Sequence, residues 1–196
     1  KGHLSLIDKS NHICNTTVVS IFINPKQFDN KKDLKSYPSN LKKDISILKR
    51  SKKVDFIYLP NFKDVYDDKE KSKINISKND KILCAKFRKG HFEGVLDVMN
   101  RFTKLINPKK IFMGKKDFQQ LYLVKKFLEK RYKTKIVACK TVRDKNKVAL
   151  SSRNYLLGKS EMQNASKISK KISNLKKKLN SKKNIKKFLD IKKKKI

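Results

Sequence analysis

Short β-branched or apolar runs alternate along this chain with segments of helical period, and that alternation leaves few folds open. The run Thr17-Val18-Val19-Ser20-Ile21-Phe22-Ile23 is almost wholly apolar, as befits a central parallel strand buried on both faces. It stops at Asn24-Pro25, where proline removes an amide that further pairing would need. A second run, Val54-Asp55-Phe56-Ile57-Tyr58-Leu59, stops at Pro60, and two more cover residues 110–113 and 135–142. Between the runs, apolar residues recur three or four apart. Leu41, Ile45 and Leu48 follow a cap expected at Ser39. Val95, Val98, Met99, Phe102 and Ile106 mark a helix expected to open at Gly94, and Phe118, Leu121, Val124 and Leu128 mark one over 117–131. Residues 3–13 and a short stretch near 62–66 also read as helical, within a less regular region over 61–90. Strands linked by helices at this spacing predict βαβ units, hence an α/β fold with a doubly wound, mainly parallel sheet. From Ser160 a helical pattern runs alone through Ile168, Ile172, Leu175 and Leu179, and beyond about 180 the sequence is mostly lysine and asparagine.

The stretch over 111–121 concentrates polar chemistry at the end of one expected strand. Ile111-Phe112-Met113 runs into Gly114, then Lys115-Lys116-Asp117, then Phe118-Gln119-Gln120-Leu121. In open α/β sheets ligands bind outside the carboxyl ends of the strands, and a helix start there offers free N–H groups to phosphate. Two lysines and two glutamines suit an anionic ligand beside a polar one. Taken alone, the stretch reads slightly better as a surface turn in a lysine-rich chain.

Charge is the loudest feature and a weak guide. The net charge is +36, yet of 53 basic residues only six are arginine, at 50, 88, 101, 131, 143 and 153. Proteins that read bases or clamp phosphates in two-pronged fashion favour arginine. The excess of Lys, Asn and Ile with no Trp fits A/T-rich codon bias, so nucleic-acid binding is not the expected primary role. The three cysteines, Cys14, Cys84 and Cys139, lack metal-ligand spacing and fit a reducing, cytoplasmic compartment. No apolar run reaches the length of a membrane span.

Five polar clusters fall at expected strand ends or helix starts. They are Gly2-His3; Asn24-Pro25-Lys26-Gln27-Phe28; Arg88-Lys89-Gly90-His91-Phe92; Gly114 to Gln120; and Leu150-Ser151-Ser152-Arg153-Asn154. Singly each is ordinary. In this order they resemble the pantoate–β-alanine ligase (pantothenate synthetase) family of the nucleotidyltransferase superfamily, whose signature is His-x-Gly-His. Lys1-Gly2-His3 matches the last three residues of that signature. Ser20 to Phe28 resembles S-I-F-V-N-P-x-Q-F, and Asp33-Leu34-Lys35-Ser36-Tyr37-Pro38 is similar to D-L-x-x-Y-P. Arg88 to Val95 resembles R-P-G-H-F-x-G-V, Gly114 to Gln120 resembles G-E-K-D-x-Q-Q, and Leu150 to Asn154 is L-S-S-R-N. The likeness spans residues 1 to about 157.

The resemblance implies a Rossmann-like domain over 1–157 binding nucleotide and pantoate, and a helical, lysine-rich start of a second domain over 158–196. It implies that pantoate attacks the α-phosphate of ATP, giving pantoyl adenylate and pyrophosphate, and that β-alanine then displaces AMP. Such a step builds charge on phosphorus and needs fixed cations and donors more than an acid–base pair. His3 and Lys116 are implied as the catalytic pair. Lys1, Gly2, His3, Gly114, Lys115, Lys116, Asp117, Val142, Leu150, Ser151, Ser152 and Arg153 would bind ATP. Gln27 and Gln120 would bind pantoate, with Gln27 also near β-alanine. His91 is read as a structural or pocket-wall residue. Mg²⁺ is expected with ATP, with no protein ligand assigned, and the full-length form is expected to be a homodimer.

Three departures stand out. The signature's first His would precede residue 1, Lys115 stands where the family carries Glu, and Lys89 stands in place of Pro. The family's closing C-terminal domain would begin near residue 160, so a chain of these limits is expected not to turn over. Rival readings are another His-x-Gly-His enzyme, a basic nucleic-acid-binding protein and an inactive decayed product. The first would carry a different distal motif, and the second would place aromatics for stacking. Here Phe22, Phe56, Phe112 and Phe127 lie in or beside core-type runs.

Overall fold

A computed structural model of the chain describes residues 1–28, 30–66 and 74–180. The expectations for 181–196 lie outside these residues, as does part of the irregular region over 61–90. The elements run α1 (Gly2–Ile13), β1 (Val18–Ser20), α2 (Lys31–Lys35), α3 (Leu41–Ser51), β2 (Phe56–Tyr58), α4 (Phe62–Val65), α5 (Cys84–Phe87), α6 (His91–Ile106), β3 (Lys110–Gly114), α7 (Phe118–Leu128), β4 (Lys135–Cys139) and α8 (Lys159–Asn180).

The strands are parallel, as the alternation of elements requires. β1 pairs with β2, Val19 opposite Ile57, and β3 pairs with β4, Phe112 opposite Val137. Helices make both crossovers, because parallel neighbours cannot be joined by a tight turn. Among the described residues these are two separate pairs rather than one continuous ladder. The α/β class therefore holds, but the first strand differs from its expected form. β1 spans three residues instead of seven, and Val18 is 39% exposed rather than buried on both faces. With β2 its one hydrogen-bonded neighbour among the described residues, one edge has no strand to cover it.

Local chemistry sets the helix limits. α3 is capped not by Ser39 but by Asn40, whose side chain accepts from the Lys43 N–H at 3.0 Å. Asn61 and Asp64 form a reciprocal capping box that starts α4. α6 opens at His91, three residues before the expected start, because Gly90 adopts φ 77° and turns the chain into the helix. It closes on Asn107 in the left-handed region, with Pro108 preventing continuation. α7 stops at Leu128, and β4 at Cys139, each three residues short of the expected end.

Contacts divide the chain between Thr141 and Val142. In the first unit the core forms where α6 and α7 pack together and α7 packs on β4. Phe92, Val95 and Leu96 meet Leu121, Val124, Leu128 and Ile136 there. Val124 and Leu128 are completely buried, and each such side chain contributes roughly 1.5–3 kcal/mol. A second cluster of Val65, Tyr66 and Val98 has Phe22 and Phe102 packed against it. In the second unit a hairpin over 143–149 closes through an Arg143–Ala149 bridge and is tied to α8. Ser169 Oγ donates to the Lys147 carbonyl at 2.6 Å, and Ser166 Oγ to that of Asn146 at 3.0 Å.

Candidate active site

β3 delivers the phosphate-like turn. It ends at Gly114, and Lys115, Lys116 and Asp117 form a single 3₁₀ turn leading into α7. Asp117 occupies the cap position, yet its side chain makes no capping bond. Its carboxylate lies instead 3.4 Å from Lys116 Nζ, both side chains largely exposed. The start of an eleven-residue helix thus keeps its amides beside two lysines, a geometry that attracts anions. The two glutamines that follow divide their roles. Gln119 Nε2 donates to the carbonyls of Ile82 (2.7 Å) and Asp80 (3.3 Å), and its Oε1 accepts from the Ala85 N–H (3.3 Å). That amide fastens the 80–85 segment to α7. Gln120, one residue further, is half-buried on the same first turn.

The turn after β1 is held much more firmly than its sequence implies. Asn24 is only 1% exposed and satisfies three groups. Its NH₂ donates to the Gly94 carbonyl at 3.0 Å, while its oxygen accepts from Tyr66 Oη (2.9 Å) and the Lys26 N–H (3.1 Å). His91 Nδ1 donates to the Gln27 carbonyl, and Arg88 donates to His91 Nε2 at 3.0 Å. This pair of contacts places the ring proton on Nδ1. The His91 ring therefore fixes the backbone of Gln27 as a structural residue. A Cβ built on Gly94 falls 2.7 Å from the Lys26 carbonyl carbon and closer still to its oxygen. Only glycine lets this backbone pass so near the helix.

Tyr66 completes the support. Burial, and secondarily the charge of Asp97, pushes its hydroxyl pKa up to about 12, against the opposing pull of Asn24 and Arg101. The neutral phenol is thus the form that donates to Asn24.

His3 is exposed in the first turn of α1, which packs against β3. That turn has no side-chain cap and no acidic residue, so nothing of its own neutralises the helix start. Val142, Leu150, Ser151, Ser152 and Arg153 belong to the second unit. There the Leu150 N–H donates to the Val142 carbonyl at 3.0 Å, Ser151 caps the turn through the Arg153 N–H, and Asn154 Nδ2 donates to the Ala149 carbonyl. The first unit accordingly carries Lys116, Asp117 and Gln120 on one strand–turn–helix segment, Gln27 on the turn packed against α6, and His3 on α1. In the sequence Asn24 and Gly94 stand out only as members of motifs, Gly94 also as an expected helix start, and Tyr66 and Asp97 give no sign of a site role. Among the described residues no group of three or more His, Cys, Asp or Glu is placed to hold a metal ion.

One parallel strand, β3, ends in a two-lysine turn and an uncapped helix start, which places the chain among α/β proteins with an anion-attracting strand end. The comparisons with known proteins then fix the family. The pantoate-beta-alanine ligase family model matches residues 1–196, and the chain belongs to that family. It is 43% identical over 180 residues to a bifunctional pantoate ligase/cytidylate kinase of Prochlorococcus marinus, covering 89% of this chain and 35% of that protein. It is 40% identical to a pantothenate synthetase of Flavobacterium psychrophilum, covering 90% of this chain and 64% of that one. Among solved structures, a Francisella tularensis pantoate-beta-alanine ligase complexed with beta-gamma ATP and beta-alanine superposes with a TM-score of 0.81 at 38% identity, covering 87% of this chain and 66% of that chain. The chain thus spans about one-third to two-thirds of the length of these relatives. No described helix is long and apolar enough to cross a membrane.

Proposed function

We propose that this chain carries the nucleotide- and pantoate-binding part of an enzyme that condenses pantoate with β-alanine at the expense of ATP. The reaction proceeds through pantoyl adenylate and releases pyrophosphate, then AMP. The observation that carries this reading is the β3–turn–α7 segment, where Gly114, Lys115, Lys116 and Asp117 lead directly to Gln120 within a chain matched over its whole length by the family. Phosphate-binding cations and a neutral amide stand one helical turn apart, so ATP and pantoate are met by a single segment.

In this reading Lys116 and His3 stabilise charge developing on the transferred phosphorus, with Lys1 and Gly2 at the same helix start. Asp117 orients both Lys116 and the nucleotide. The Val142 backbone packs against adenine, and Leu150, Ser151, Ser152 and Arg153 hold the polyphosphate. Gln27 and Gln120 bind pantoate's hydroxyls and carboxylate through amide donors and acceptors, and Gln27 also meets β-alanine. Mg²⁺ enters as the ATP complex, as part of the substrate. A binding domain over 1–157 with a helical domain from 158, a cytoplasmic location and homodimeric assembly of the full-length protein belong to the same proposal and rest on family membership.

Pyrophosphate release by the full-length protein should require both ATP and pantoate, and AMP should appear only after β-alanine is added. Release indifferent to pantoate would sink the assignment. Gln120→Ala should raise the pantoate KM by about 10-fold or more while ATP kinetics hold, as expected when one buried hydrogen-bonding partner worth roughly 1.5 kcal/mol is lost. Unchanged pantoate kinetics would remove Gln120 from the site.

A further inference from the structure

One face of α6 is given over to the turn that carries Gln27. His91, Gly94, Asp97 and Arg101 recur at intervals of three and four residues and so share a stripe of the helix. His91 and Gly94 engage the backbone of Gln27 and Lys26, as described above. Asp97 and Arg101 continue the stripe toward the side chains. Asp97 is 7% exposed, with Lys26 Nζ 3.6 Å from one carboxylate oxygen and Arg101 Nε 2.9 Å from the other. Lys26 Nζ also sits 3.7 Å from the centroid of the Tyr66 ring, and the Arg101 guanidinium 5.0 Å from the same ring. Arg101 donates to the Val65 carbonyl at 3.2 Å, tying α6 to α4.

A carboxylate this buried is tolerable only when cations hold it in defined geometry. Arg101 alone would satisfy the charge, since that pair is shorter and better buried. The Lys26 arm adds something else: it ties the residue before Gln27 to a fixed point on the helix. We propose that Asp97 is a positioning residue, which through Lys26 and alongside Tyr66 sets the Asn24–Gln27 turn and so the placement of the Gln27 amide toward pantoate. This rests on the reading of Gln27 as a pantoate ligand.

The test uses the full-length protein with Asp97→Asn, Lys26→Met, the double variant and Gln27→Ala. Asp97→Asn and Lys26→Met should each raise the pantoate KM by roughly 3–10-fold, with the ATP KM within about two-fold, and the double variant should be no worse than the poorer single one. A pantoate KM unmoved by both single substitutions overturns the proposal, as does an equal rise in both KM values, which would signal general loosening. Multiplying effects in the double variant overturn it too. If Asp97→Asn does not fold, Lys26→Met, at a side chain 45% exposed, carries the test alone. Gln27→Ala separates the two levels. If it leaves pantoate kinetics unchanged, the assignment of Gln27 falls and the positioning role with it. If it raises the pantoate KM while Lys26→Met and Asp97→Asn do not, only the positioning role falls.

Discussion

Alanine at position 94 should cost about 100-fold in pantoate-dependent turnover, although it adds a single methyl group. The new Cβ would lie 2.7 Å from the Lys26 carbonyl carbon and 3.0 Å from the Gln27 nitrogen, closer to the oxygen than to either. These are backbone atoms, so no side-chain rotation relieves the clash. Either α6 or the Asn24–Gln27 turn must retreat by several tenths of an ångström or more. Two bonds cross this interface, from Asn24 to the Gly94 carbonyl and from His91 to the Gln27 carbonyl, and both lengthen if it opens. Stability should move less than activity. Alanine gains about 1 kcal/mol over glycine inside a helix, which partly offsets the roughly 1–3 kcal/mol typical of overpacking. Activity has no such compensation, because a shift near 1 Å in a positioning group costs about 10²-fold. Urea unfolding combined with pyrophosphate release separates the two. A folded variant with wild-type pantoate kinetics would show that the turn does not govern the site.

Nothing in the sequence places Gly94 against the backbone of Lys26. Gly94 was legible there as the expected start of a helix and as one residue of the Arg88–Val95 motif, neither of which says what it packs against. The helix in fact runs through it from His91, and the reason for the glycine lies 68 residues away at Lys26. The strand–helix alternation was legible because it depends on local period and on Pro and Gly stops. α7 appears within a few residues of its expected limits, and the Asn61–Asp64 capping box is a pattern of adjacent positions. Exposure was less legible. Thr17 to Ile23 reads as a strand covered on both faces, but burial depends on which neighbours pair with it, and Val18 is exposed beside β2, its single strand partner among the described residues. The site divides in the same way. Lys116, Asp117 and Gln120 are consecutive enough for their chemistry to show. The support of Gln27 by Tyr66, His91 and Gly94 draws on two distant segments, the end of α4 and the start of α6, and nothing in local spacing announces it.

Lys116→Ala should slow adenylate formation by roughly 2–4 kcal/mol in activation free energy, or about 30- to 1000-fold. The range is that of one preorganised donor aimed at developing charge. In the proposed mechanism this role falls to Lys116 rather than Lys115, and one observation separates the two lysines. Lys116 Nζ lies 3.4 Å from the Asp117 carboxylate at the start of α7, an exposed pairing that gives the ammonium a fixed neighbour on the turn. In an overall field of +36, a general electrostatic contribution predicts that removing either neighbouring lysine has much the same effect. A positioned contact predicts otherwise. Lys115→Ala should then cost much less than Lys116→Ala, and Asp117→Asn should fall between them by loosening the lysine without removing it. Single-turnover pyrophosphate release at saturating ATP and pantoate measures the step directly, and repeating it at high ionic strength tests the field explanation. Added salt should narrow any difference that arises from long-range charge and leave a contact at the phosphorus largely unscreened. Equal losses from the two lysines, erased by salt, would return this turn to an ordinary cationic surface.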